Sequence, residues 1–286
     1  MISGINFLGQ ITPKYDLQAQ KPALKPMECD CFVKSTPETD KKEEAIQKAK
    51  EKIIQEIKDN NIEYGFTISP EGEILAQNRG DEHSCSVDSR KIVPQAILLH
   101  GHPVALPLSS GDIAVLIATP AKTQEAIMQD GKFSRMSKRN PDNGTGDYRQ
   151  IYYNLEKQLN LMALEQLGID YKLNMGDIIK MGKDHIQYST MRDMEDADDD
   201  TIIEELNKLG IDTQQPPEQI ANDLKELMFY QLLTNPQKYD KEHNSIMDNY
   251  DSIQELLNSD EGKVLRHKFA QKIADKYDLE YQTDLF

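Results

Sequence analysis

Basic residues are in short supply in this chain: 33 Lys and Arg stand against 49 Asp and Glu, for a formal net charge of −16. No stretch gathers enough Lys and Arg to make a basic face, so phosphate backbones and anionic membrane surfaces would be repelled. Nucleic acid and membrane are therefore not expected partners. Cysteine is scarce too, with only Cys29, Cys31 and Cys85 in 286 residues. An odd, sparse set is not the framework of a disulfide-stabilised secreted domain and fits a reducing cytoplasm. Cys29 and Cys31, one residue apart in a Pro- and Lys-rich segment, read as ordinary thiols. The first residues, MISGINFLGQITPKYD, lack both a basic n-region and an apolar run of roughly 7–15 residues, so no secretory signal is read there. No stretch approaches the roughly 18 apolar residues of a membrane span.

What the chain does have is enough length for one large domain or two ordinary ones, and a clear change of pattern along it. Residues 1–40 carry Pro13, Pro22, Pro26 and Pro37 among polar residues without sustained periodicity, which predicts an extended or disordered lead-in. In PETDKKEEAIQKAKEKIIQEIKDNN, Ala45, Ala49, Ile53, Ile54 and Ile57 fall at helical spacing, which predicts an amphipathic helix ending at Asn60-Asn61. Short apolar runs then alternate with turn residues. EYGFTIS, EILAQN, SCSV and AILLHGH predict a meander of strands with a hairpin at Glu71-Gly72. GDIAVLIAT reads as a helix capped by Ser109 or Ser110, and Asp130-Gly131 as the turn of a second hairpin.

Pro, Asn and Gly cluster in RNPDNGTGD at 139–147, where a domain boundary is expected. This divides the chain into the lead-in, a domain at 41–140 and an acidic, all-helical region at 148–286. Gly168 and Gly210 stand where helices of that last region would end, and Pro216-Pro217 where one would begin. The acidic run MEDADDD at 194–200 lacks the spacing of a calcium loop and reads as solvated.

The chemistry concentrates in ILLHGHPVALPLSSGDI, residues 97–113. His100 and His102 lie two apart after an apolar run, so on a strand they project from one face about 6.5–7 Å apart, close enough to share a metal. Asp112 follows ten residues later, at the start of the expected helix. Two imidazoles and one carboxylate make three ligands, the count that leaves a fourth position open for water at a catalytic zinc. The water that such a zinc activates needs a base, and an upstream carboxylate is the usual solution. Glu63 is the candidate. It begins a strand whose alternation places Tyr64, Phe66 and Ile68 on the buried face and Glu63 with Gly65 and Thr67 on the other. Ser109 offers a hydroxyl to the oxyanion that forms when water attacks a carbonyl. His83, His185, His243 and His267 have no partner at ligand spacing and read as surface or helix residues.

A Glu in the first strand, followed by His-x-His-Pro, a short turn and Ser-x-x-Asp, resembles the JAMM family, also called JAB or MPN metalloproteases. The elements here are Glu63, His100-Gly101-His102-Pro103 and Ser109-Ser110-Gly111-Asp112, and EYGFTISPEGEILAQNRGD is similar to the first hairpin of the compact bacterial versions. The resemblance covers about residues 45–140. It implies an α/β, cytidine-deaminase-like fold with a curved mixed sheet packed between helices, and a Zn²⁺ hydrolase that cleaves a peptide or isopeptide bond. On that pattern His100, His102 and Asp112 are the metal ligands, Glu63 the acid/base and Ser109 the oxyanion donor. Two departures stand out. Six residues, 103–108, separate His102 from Ser109 where the family commonly has seven, and Gly101 sits between the histidines where Ser, Thr or Asn is usual.

A protein or peptide substrate follows from this reading. The competing expectation is an inactive JAMM-like scaffold that works as an interaction protein through 148–286. A zinc deaminase would need His-x-Glu and a later Pro-Cys-x-x-Cys, and neither occurs.

Overall fold

The computed structural model describes residues 37–140, 144, 146–190, 194 and 196–286. Residues 1–36, and with them Cys29, Cys31 and most of the expected lead-in, lie outside the described residues. Helix α1 (Pro37–Asn60) is the expected amphipathic helix; it ends as Asn61 turns left-handed at φ 53° and its N–H bonds the Ile57 carbonyl. Strands β1 (Tyr64–Ile68) and β2 (Ile74–Arg79) pair antiparallel around the Glu71-Gly72 turn, with Gly72 at φ 91°. Strand β3 (Ile97–His102), helix α2 (Ser110–Ala118) and strand β4 (Thr123–Met128) make a parallel crossover, and β5 (Phe133–Lys138) returns antiparallel through Asp130-Gly131. Between β2 and β3 no strand forms: SCSV, expected as one, leads into a short 3-10 turn at Ser89–Lys91.

Among the described residues, nine further elements follow β5 in the helical part. They are α3 (Tyr148–Gln166), α4 (Met175–Thr190), α5 (Asp199–Lys208), α6 (Pro217–Leu227), α7 (Phe229–Thr234), a 3-10 turn (Pro236–Tyr239), α8 (Lys241–Asp248), α9 (Tyr250–Leu257) and α10 (Asp260–Lys276). The acidic run finds its use here: Asp198 caps α5 through the Thr201 N–H, and Asp199 and Asp200 lie in its first turn against the positive end of the helix dipole.

The C-terminal region is not all helix. After α10 the chain turns at Asp278, φ 53°, into a strand, β6 (Leu279–Thr283), that pairs antiparallel with β5. Its alternation is visible in hindsight, with Leu279 buried and Glu280 and Gln282 exposed. The result is a six-stranded mixed sheet ordered β2-β1-β3-β4-β5-β6, flanked by helices and followed in sequence by a largely helical region.

Successive β3 residues face opposite layers. Leu99 meets Ala49, Ile53 and Ile57 of α1, while Leu98 joins Ile113 and Leu116 of α2, Leu155 and Leu159 of α3, and Phe269 and Ile273 of α10. The expected boundary at 139–147 is thus not a division of cores, because α3 and α10 complete the layer that α2 begins and Leu279 of β6 joins the same core. A second apolar core, built on Ile178, Ile202, Leu206, Ile220 and Leu224, holds α4, α5 and α6 together as a helical subdomain inserted in that region. No described helix is long and apolar enough to cross a membrane.

Phe269 is 1% exposed in the core shared with the sheet. Phe269→Ala is expected to cost about 3–5 kcal/mol of stability. In urea unfolding the sheet and the C-terminal helices are expected to melt together; two separated transitions, with the sheet unaffected, would contradict the shared core.

Candidate metal centre

His100 and His102 end β3 on the face turned toward α2, the same face as Leu98. Asp112 reaches them because Ser109, in extended conformation, caps α2: its hydroxyl accepts from the Asp112 N–H at 3.2 Å while the Asp112 carboxylate accepts from the Ser109 N–H at 2.7 Å. This capping box fixes the first turn of α2, and so the carboxylate, over the end of the strand. His100 Nε2 lies 2.9 Å from His102 Nε2 and 3.1 Å from Asp112 Oδ1, and His102 Nε2 lies 3.5 Å from Asp112 Oδ2. One ligand atom from each residue falls within 4.8 Å of the others, and both histidines are buried.

Glu63 arrives from the neighbouring strand. Gly65 pairs with His100 in antiparallel register, so the residue two before Gly65 lies beside the end of β3, and Glu63 is anchored there by backbone bonds to Gly80 and Asp81. It is 9% exposed, whereas Glu71 and Glu73 are exposed. Burial raises its pKa, with Asp112 adding to the effect and the two imidazoles opposing it. Burial works against a charged His100 as well, but Asp112 and Glu63 outweigh it and its pKa is raised. Asp112 shows the reverse balance: burial pushes it up, and the imidazole charges and hydrogen bonds hold it well below the ordinary carboxylate range.

The donor set could hold a metal ion. The ring partner of His102 is the Leu106 carbonyl, 2.8 Å from Nδ1. A carbonyl only accepts, so the proton sits on Nδ1 and Nε2 keeps its lone pair toward the centre, as it does in metal-bound histidines. Two imidazoles and a carboxylate, with no thiolate, supply three ligand atoms to such an ion.

The structure brings together all five residues that the sequence singled out, with one change of emphasis. The Ser109 hydroxyl donates to Asp112 Oδ2 at 2.7 Å, so here it orients a ligand. Three neighbours gave no sequence signal. The Gln124 amide nitrogen lies 3.1 Å from His100 Nδ1. Tyr148 of α3 lies beside Gly111, where an added Cβ would come within 3.5 Å of Ser109 Oγ and 3.9 Å of the Tyr148 hydroxyl. Cys85 packs over Gly65, its thiol pushed up to about 11 by burial and by the Glu63 and Asp112 charges.

Gly101, between the two ligands, faces α1. A Cβ there would stand 2.8 Å from Ile57 Cδ1 and 2.9 Å from Ile53 Cγ2. The helix covers the strand so closely that any side chain at 101 would have to displace the Ile53 and Ile57 side chains. Gly101→Val is expected to destabilise the fold by about 1–3 kcal/mol, and Gly101→Ala by less. Chemical denaturation checks this, and an unchanged midpoint for Gly101→Val would contradict the packing. No family model matches the chain, and no curated protein or solved structure matches it either.

Proposed function

We propose that the chain is a zinc-dependent peptidase or isopeptidase of the JAMM type. The observation that supports this reading best is the buried convergence of His100, His102 and Asp112 with the Glu63 carboxyl beside them. Zn²⁺ held by these three residues would supply Lewis acidity toward an amide carbonyl and toward a water.

The rest of the chemistry belongs to the chain. Glu63, whose raised pKa brings its carboxyl nearer neutrality, takes the proton of the attacking water and returns it to the leaving amine. Asp112 stays ionised and offers a fixed anionic donor, and Ser109 keeps it aimed. The Leu106 carbonyl holds His102 in the ligating tautomer. A protein or peptide segment is the substrate class, approaching beside Gly111 and Tyr148. The JAMM-like topology forms part of the same proposal: an antiparallel hairpin leads into a parallel β3-α2-β4 crossover with the ligands at the carboxyl end of β3.

A second reading, an interaction protein that works through its helical region, draws on exposed apolar side chains of the inserted subdomain. Phe229, Tyr230 and Leu233 of α7 are 59%, 73% and 65% exposed. The two readings differ over zinc. The peptidase reading expects about one Zn²⁺ per chain by elemental analysis. His102→Ala is expected to lose the metal, while Glu63→Gln keeps it and abolishes amide cleavage. Metal-free protein purified under zinc-replete conditions would overturn the peptidase reading and favour the second.

A further inference from the structure

Tyr148 and Tyr152, one turn apart on α3, stack with their ring planes 10° apart and their centroids 6.0 Å apart. They are 43% and 40% exposed, so much of this flat aromatic surface lies open to solvent. Its place in the fold is set by α2. The Tyr148 hydroxyl and the Tyr152 ring edge lie 3.9 and 4.0 Å from where a Cβ on Gly111 would stand, and Gly111 directly precedes Asp112. The glycine adds no side chain beside the rings at the first turn of α2. Burial and then the Asp112 charge raise the Tyr148 pKa, so the ring is within electrostatic reach of the ligand set.

The charge next to the pair is balanced. Glu156, one turn further along α3, acts on Tyr152 and also on Arg266 of α10, whose charge burial disfavours and the carboxylate supports. Arg266 is tied down through its Nε, which donates to the Leu257 carbonyl at 3.2 Å. With a carboxylate and a guanidinium acting on each other there, neither a cation nor an anion gains an uncompensated partner. An uncharged planar group does gain, because aromatic rings stack offset or edge-to-face with a benefit beyond the area they bury.

The peptidase reading, on which this inference rests, gives the surface a direction. Glu63 returns a proton to the leaving amine and enters from the β1 side of β3. The tyrosines enter from α3, against the first turn of α2. The amine half of a cleaved amide is thus served from one side, and the other side is left for the acyl half.

We propose that Tyr148 and Tyr152 are specificity-determining residues, a shelf that receives an uncharged aromatic side chain on the acyl side of the scissile amide. This narrows the substrate class from peptide segments in general to those with such a residue next to the bond that is cut.

Hydroxamates test the shelf without turnover, because the group chelates a metal and carries the neighbouring side chain as an acyl substituent. Calorimetry on the zinc-loaded full chain compares acetohydroxamate, N-acetyl-phenylalanine hydroxamate and N-acetyl-arginine hydroxamate. The phenylalanine compound is expected to bind about 10-fold more tightly than acetohydroxamate, and the arginine compound to gain less. In Tyr152→Ala the phenylalanine advantage is expected to fall to about two-fold or less. Gly111→Leu, which sets a side chain against both rings, is expected to reduce it as well. If Tyr152→Ala does not fold, Tyr148→Ala takes its place with the same expected loss. An advantage that survives in the tyrosine variants would overturn the inference. An arginine compound that binds more tightly than the phenylalanine compound would overturn it too, since the guest would then be a cation. A wild type that takes up no zinc overturns the zinc reading, and this inference with it. A wild type that binds zinc and all three hydroxamates equally overturns this inference alone.

Discussion

Two imidazole nitrogens 2.9 Å apart and a carboxylate oxygen 3.1 Å from one of them crowd into a space with little access to solvent. Burying such groups is costly unless each is paired, and removing one partner leaves the others uncompensated. The surrounding elements answer that cost one group at a time. The Pro103–Pro107 turn gives a carbonyl to His102, the N-terminal turn of α2 ties down Asp112 through Ser109, and β4 brings Gln124 to His100. Glu63 completes the set as a fourth buried polar group, set beside the end of β3 by the β1 register. A metal ion could meet both imidazole nitrogens and the carboxylate together.

That constraint explains why the sheet has helices on both faces. The carboxyl end of β3 is buried because α1 covers one side of it through Ile53 and Ile57, and α2 with α3 packs on the other. Gly101 records how tight this is, since the strand carries no side chain where the α1 isoleucines press on it. The C-terminal segment belongs to the same enclosure: α10 backs α3, and β6 extends the sheet beyond β5. The inserted helical subdomain has its own core and exposes apolar residues on α7, so it is built on different terms from the part that houses the centre.

Much of this was legible in the sequence, and for local reasons. The period of Ala49, Ile53 and Ile57 predicted α1, the Glu71-Gly72 and Asp130-Gly131 turns predicted both hairpins, and Ser109 with Asp112 carried the signature of a capped helix. His-x-His at the end of an apolar strand could be read because strand geometry puts both rings on one face. What escaped depends on contacts distant along the chain. Gln124 becomes relevant only through the parallel pairing of β3 with β4, which no spacing announces. Strand β6 is five residues in a polar tail and is stabilised by β5, from which it is separated by the whole helical region. SCSV, expected as a strand, joins no strand pair and remains irregular. Composition suggested a boundary in the Pro-, Asn- and Gly-rich segment at 139–147, but it does not show that the helices beyond it fold back onto the layer that α2 begins.

X-ray absorption at the zinc edge of the purified protein tests the centre most directly, because it reports the atoms around the metal without reference to activity. The expected spectrum has two imidazole nitrogens at about 2.0–2.1 Å, oxygen donors filling the remaining positions and no sulfur. Sulfur at about 2.3 Å would place the metal on cysteine. That result, or a chain that carries no metal at all, would contradict a zinc centre built on His100, His102 and Asp112.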